Sequence, residues 1–74
     1  MNTTLQSEVT GTVWKIEVRE GDTVGPDQSL MVLESMKMEI PVCAPAAGVV
    51  RQLLVKEGEP VAEGQPVVVL GDGL

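Results

Sequence analysis

Gln28-Ser29-Leu30-Met31-Val32-Leu33-Glu34-Ser35-Met36-Lys37-Met38-Glu39-Ile40 decides the fold of this 74-residue chain. With Asp27 it forms the longest stretch free of Gly and Pro. Leu30, Leu33, Met36 or Lys37, and Ile40 fall at helical spacing, and Leu, Met, Glu and Lys are good helix formers. Taken alone, the stretch reads as a helix. The rest of the chain overrules that reading, because the chain is written twice. Gly11-Thr12-Val13-Trp14-Lys15-Ile16-Glu17-Val18-Arg19-Glu20-Gly21-Asp22-Thr23-Val24 lies over Gly48-Val49-Val50-Arg51-Gln52-Leu53-Leu54-Val55-Lys56-Glu57-Gly58-Glu59-Pro60-Val61, an offset of 37 residues. The register continues without a gap through Gln28 to Leu33 over Gln65 to Leu70. Over residues 11–35, nine of 25 positions are identical: 11, 13, 18, 20, 21, 24, 28, 32 and 33. The counterpart of the ambiguous stretch, Val67-Val68-Val69-Leu70-Gly71, is a poor helix and a good buried strand. Leu30 to Leu33 is therefore one strand, Met38 to Cys43 the next, and Glu34-Ser35-Met36-Lys37 a tight hairpin with Lys37 at its tip.

Both copies read as β. Val13, Ile16 and Val18, and their counterparts Val50, Leu53 and Val55, sit in short runs that end at Glu20-Gly21-Asp22 and Glu57-Gly58-Glu59. Second turns follow at Gly25-Pro26-Asp27 and Glu63-Gly64-Gln65-Pro66. Short strands with frequent Gly/Pro punctuation indicate a sandwich or flattened barrel. Two copies are too few for a solenoid, and they suit a closed all-β domain with approximate two-fold symmetry. Residues 1–74 make one domain, with repeat halves at about 11–35 and 48–72.

Composition removes whole classes of function. There is no His and a single Cys, so a zinc or iron–sulfur site, a Ser-His-Asp triad, a Cys-His pair and a disulfide-stapled scaffold are excluded. Eleven acidic against five basic residues give a net charge of −6, which argues against nucleic acid. No apolar run approaches the ~20 residues of a membrane span. Met1-Asn2-Thr3-Thr4 lacks the basic and apolar regions of a signal peptide, so a cytoplasmic chain without membrane contact is expected. Phe and Tyr are absent, Trp14 is the sole aromatic, and thirteen valines supply much of the apolar content.

Chemistry concentrates at the junction of the repeats. Lys37 is presented between Met36 and Met38, long apolar side chains where a polar turn would cost less in water. Polarisable, adaptable side chains suit a surface that a partner must recognise. Glu34-Ser35-Met36-Lys37-Met38, centred in a two-fold repeat with Ala44-Pro45-Ala46-Ala47-Gly48 just after it, closely resembles the attachment motif of biotinyl domains. These are the biotin carboxyl carriers of biotin-dependent carboxylases, and the resemblance covers residues 7–71.

The resemblance implies a flattened β-barrel of two four-stranded antiparallel sheets, with Lys37 at one end and both chain ends at the other. It implies that a biotin protein ligase joins biotin to Lys37 through an amide, with Glu34, Ser35, Met36, Met38 and Glu39 as the flanking residues for recognition. For Glu34 and Glu39, orienting the hairpin and a merely solvated role stand open beside ligase contact. Lysine amines ordinarily hold their proton up to about pH 10.4, so the ligase must remove it. Modification takes the net charge from −6 to −7. The other implied partners are a biotin carboxylase and a carboxyltransferase. The carrier, expected as a monomer, passes an activated carboxyl group between them and needs no catalytic residue or metal of its own. Acetyl-CoA, propionyl-CoA, pyruvate and urea all remain open as acceptors.

Two rivals stand beside this reading. A lipoyl domain shares the fold and the lysine but usually has Asp or Val before it and Ala after it; dual attachment stays open. An unmodified binding module is the rival from another class. Ser7-Glu8-Val9-Thr10-Gly11 departs from the Pro-containing segment common before the first repeat, and the ungapped offset leaves no room for the protruding thumb of some acetyl-CoA carboxylase carriers. Lys15 and Lys56 are weaker attachment candidates because both lie in strand runs. Cys43 reads as a semi-buried strand residue, and Trp14 as sheet-face packing with a docking role as the lesser alternative. Glu17, Glu20, Asp22, Glu57, Glu59 and Glu63 read as solubilising charge that also steers docking toward basic surfaces.

Overall fold

Valine-rich runs cut by turns every few residues can bury themselves only as short strands in two facing layers. The computed structural model describes residues 2–72, and this is what it shows. Eight strands follow one another: β1 (Thr3–Gln6), β2 (Gly11–Ile16), β3 (Thr23–Val24), β4 (Ser29–Ser35), β5 (Met38–Cys43), β6 (Gly48–Leu53), β7 (Pro60–Val61) and β8 (Pro66–Gly71). They form two four-stranded antiparallel sheets, ordered β1-β8-β6-β3 and β5-β4-β2-β7, in a flattened barrel-sandwich. No helix occurs among the described residues, and none is long and apolar enough to cross a membrane. Met1, from which the reading of a leaderless chain starts, lies outside the described residues.

The 37-residue offset recurs in the hydrogen bonding. Val13 pairs with Leu33 as Val50 pairs with Leu70, and Ile16 with Met31 as Leu53 with Val68. Each of these pairings carries a β-bulge, at Trp14 in one sheet and at Arg51 in the other. Gly21 N–H donates to the Val50 carbonyl at 2.7 Å, and Gly58 N–H to the Val13 carbonyl at 2.7 Å. Both glycines take positive φ, 95° and 87°, which L side chains rarely adopt. Each half therefore closes its turn on the other half.

Among the described residues, the core between the sheets holds thirteen buried apolar side chains, eight of them valine. Among them are the identical repeat positions Val13/Val50, Val18/Val55, Val24/Val61 and Leu33/Leu70. The short valine side chains let the sheets meet without aromatic bulk. Ser7 is the one polar residue among those described that is buried with them, and its position explains the missing Pro. Its hydroxyl donates to the Val9 carbonyl and accepts from Val9 N–H at 3.3 Å. This side-chain turn constrains the chain where the second half uses Ala44-Pro45. The main-chain bonds on either side match between halves: Ser7 N–H to the Gln65 carbonyl at 2.8 Å, Ala44 N–H to the Gln28 carbonyl at 2.9 Å.

Four expectations need correction. β4 runs from Ser29 to Ser35, so the turn is narrower than Glu34 to Lys37 and consists of Met36 and Lys37 alone. Lys56 lies after the end of β6 and outside any strand, because the chain leaves the sheet at Leu53 to make its turn. Cys43 is a strand residue but exposed rather than semi-buried, since β5 is an edge strand. Trp14 is 52% exposed, because the bulge turns it outward together with Lys15.

The acidic residues are also more than solubilising charge. Glu57 Oε2 accepts from Ile16 N–H at 2.8 Å, and its repeat partner Glu20 Oε2 accepts from Leu53 N–H at 3.0 Å. Asp22 Oδ2 accepts from Arg19 N–H at 2.9 Å, and Glu17 Oε1 accepts from the Ser29 hydroxyl at 3.0 Å. Three of these carboxylates, Glu57, Glu20 and Asp22, take up main-chain N–H groups.

Candidate functional site

The β4–β5 hairpin is closed by only two residues, with Ser35 paired to Met38 and Glu34 to Glu39. Met36 and Lys37 take φ of 53° and 66°. Positive φ at both central positions is the pattern of a type I′ turn, whose twist matches that of the flanking strands. Such turns favour Asn-Gly. A side chain with a Cβ in the left-handed region costs about 1–2 kcal/mol per residue. The turn therefore holds two residues chosen against local backbone preference.

The base of the hairpin fixes its tip. Ser35 Oγ donates to the Thr10 carbonyl at 2.8 Å, tying the hairpin to the start of β2. Thr10 Oγ1 accepts from Glu63 N–H at 3.2 Å, which extends the tie to the turn after β7. Gly11 allows the close approach: a Cβ there would stand 2.2 Å from the Glu34 carbonyl oxygen and 3.2 Å from Ser35 Cβ. Above this anchored base Lys37 is exposed, Met36 is 93% exposed and Met38 63%. Both methionines stand in solvent rather than folding over the core.

The expected site residues thus come together on one hairpin: Glu34, Ser35, Met36, Lys37, Met38 and Glu39 occupy its last turns. Glu34 and Glu39 are both exposed and directly opposite each other, a like-charge pairing that weakens a sheet. The sequence reading missed Thr10 and Gly11 as supports of the site. The identity of Gly11 with Gly48 was the available signal, since a glycine kept in both halves marks a close approach. A concavity of about 650 Å³ lies between β1 and β5 against Leu5, Ile40 and Val42, and Lys37 is not among its lining residues. Among the described residues no cluster of His, Cys, Asp or Glu could hold a metal ion. What the site offers is a primary amine on a rigid base with free access.

Comparison with known proteins agrees with this geometry. The profile of the family described as "Biotin-requiring enzyme" matches residues 1–70. The "Biotin/lipoyl attachment protein" of Bacillus subtilis (strain 168) is 39% identical over 69 residues, which cover 93% of this chain and 94% of that protein. The "Dihydrolipoyllysine-residue acetyltransferase component of pyruvate dehydrogenase complex" of Haemophilus influenzae (strain ATCC 51907 / DSM 11121 / KW20 / Rd) is 46% identical over 59 residues, 80% of this chain but 10% of that one. Among solved structures, a single-chain, multi-domain long-chain acyl-CoA carboxylase superposes with a TM-score of 0.90 at 32% identity, covering 96% of this chain and 7% of that one. The chain therefore spans almost all of a small attachment protein and only a small part of the large multi-domain relatives. By profile, by near full-length similarity and by fold, the chain belongs to the family of biotin/lipoyl-attachment domains.

Proposed function

We propose that the chain is a biotin carboxyl carrier and that Lys37 is its attachment site. The observation that carries this reading is the Met36-Lys37-Met38 tip, an exposed lysine between two exposed methionines on a turn whose backbone disfavours both of its residues. Strain kept at a surface turn points to use rather than stability. Lys37 Nζ, once deprotonated, attacks the acyl carbon of biotinyl-adenylate at a biotin protein ligase. The amide bond forms, the acyl–phosphate bond breaks and AMP leaves. The bound biotin supplies carboxyl-transfer chemistry that no side chain of this fold possesses.

Loaded in this way, Lys37 carries an activated carboxyl group from a biotin carboxylase to a carboxyltransferase, and the domain is not catalytic alone. Glu34, Ser35, Met36, Met38 and Glu39 serve ligase recognition around it. Attachment makes each transfer effectively intramolecular. Residues 1–74 act as one monomeric carrier unit in the cytoplasm, without nucleic acid or membrane contact.

A lipoyl carrier modified on the same lysine is the second reading, and the similarity to the Haemophilus acetyltransferase component favours it. The methionines on both sides of Lys37 favour biotin. Intact-mass measurement after expression with biotin, lipoate and both ligases separates the two. The biotin reading expects a gain of one biotin less one water; a gain matching lipoate, or none, would sink it.

A further inference from the structure

The two sheets are built alike and dressed differently. Three of the four large apolar side chains exposed among the described residues, Trp14, Met36 and Met38, belong to the β5-β4-β2-β7 sheet or its hairpin. The fourth, Leu54, lies outside the strands. On the outer face of this sheet Trp14 and Lys15 oppose Val32 at the bulge, and Val32 pairs with the exposed Pro41. The next row toward the lysine is Thr12, Glu34 and Glu39. At the corresponding places the other sheet has Arg51 and Gln52 opposite Val69, with Val69 paired to Thr4. Backbone and register are common to both faces, so the exposed indole is no requirement of the fold. The twin sheet makes the same bulge with Arg51.

A two-fold carrier poses a problem for any enzyme that must act on one lysine. Two faces of nearly the same shape are on offer, and only one adjoins Lys37. We propose that the outer face of β5-β4-β2-β7, with Trp14, Val32 and Pro41 as its apolar centre and the Glu34/Glu39 pair at its lysine-side edge, is the surface on which the biotin protein ligase docks. This rests on the carrier reading and gives it an orientation. The ligase surface that fits presents Lys or Arg to the opposed carboxylates and an apolar pocket to the indole. The like-charge pair is unfavourable in the free sheet and becomes favourable against cations. Trp and Met are enriched among the side chains that partners bury, and a pocketed Trp commonly dominates binding. Reach is adequate. Val32 is five residues from Lys37, about 16 Å along a strand, and a patch of about 800 Å² has roughly that radius.

The test converts the face to its twin. Trp14→Arg, Pro41→Thr and Glu39→Asn each install the residue found 37 positions away in the other half, and Arg51→Trp is the reverse control. With a biotin protein ligase, biotin and ATP, Trp14→Arg raises KM for the carrier about tenfold while kcat stays within twofold. Pro41→Thr and Glu39→Asn shift KM in the same direction, and Arg51→Trp leaves it unchanged. Trp14 is the sole tryptophan, so a ¹⁵N-labelled carrier has one indole N–H resonance. Unlabelled ligase shifts or broadens it. Biotin added to Lys37 with wild-type KM in Trp14→Arg, or an indole resonance unmoved by ligase, overturns the docking face and leaves the carrier reading intact. No biotin on the wild type overturns both. Concentration-dependent broadening without ligase, with no further change on its addition, assigns the face to a second copy of the chain and overturns the proposal.

Discussion

At Met36 and Lys37 the chain gives up backbone stability for two side chains. Asn at position 36 tolerates the left-handed conformation better than Met. Met36→Asn is expected to raise stability by about 0.5–1 kcal/mol in urea unfolding and to lower the rate of biotinylation several-fold. A variant both less stable and equally well modified would contradict the assignment of the strain to function. Gly11 is the opposite case, with conformation and contact in agreement. A Cβ at Gly11 meets the Glu34 carbonyl oxygen at 2.2 Å, and one at Gly48 meets the Gly71 carbonyl oxygen at 2.4 Å. Both Gly→Ala variants force neighbouring strands apart and should each cost about 1–3 kcal/mol. Only Gly11→Ala moves the base of the hairpin, so it alone should also slow modification of Lys37.

At the scale of elements, the identical repeat positions have physical jobs. Val13, Val18, Val24, Leu33 and their partners fill the core. Gln28 and Gln65 accept from the N–H of Gly25 and Ala62, at 2.9 and 3.0 Å, and so brace equivalent turns. Glu20 and Glu57 each cap a strand of the opposite half. Removing either carboxylate loses one interhalf hydrogen bond, and Glu20→Ala and Glu57→Ala should each cost about 1 kcal/mol in chemical denaturation. Glu63, whose counterpart in the first half is Pro26, should tolerate Ala within about 0.5 kcal/mol. Equal tolerance at all three positions would show that the interhalf bonds contribute nothing.

This is also where legibility in the sequence ends. The β reading of Leu30 to Leu33 rested on Val67 to Leu70, and the structure agrees. The role of Glu20 and Glu57 was visible in principle, because a solvated acid has no reason to recur in register. The outward turn of Trp14 was not. A bulge is set by the partner strand, here Val32 opposite two residues, and leaves no local signal. Exposure of Cys43 likewise depends on β5 being an edge, which only the sheet order reveals.

For the whole molecule, two halves that complete each other explain how so small a chain holds together without aromatic packing. Each sheet draws strands from both halves, and neither half can close its turns alone. Charge acts at this scale too. With a net charge of −6, encounter with a basic partner is accelerated at low salt and screened as the Debye length falls from about 10 Å at 0.1 M to 3 Å at 1 M. The kcat/KM of biotinylation should therefore fall several-fold over that range, and a flat profile would reject steering by charge. The central claim is that this fold exists to present one amine. Peptide mass spectrometry of the protein produced with an active biotin ligase tests it most directly. Biotin on Lys37 alone, with none on Lys15 or Lys56 and none anywhere in Lys37→Arg, is the predicted result; biotin on another residue, or persisting in Lys37→Arg, would contradict it.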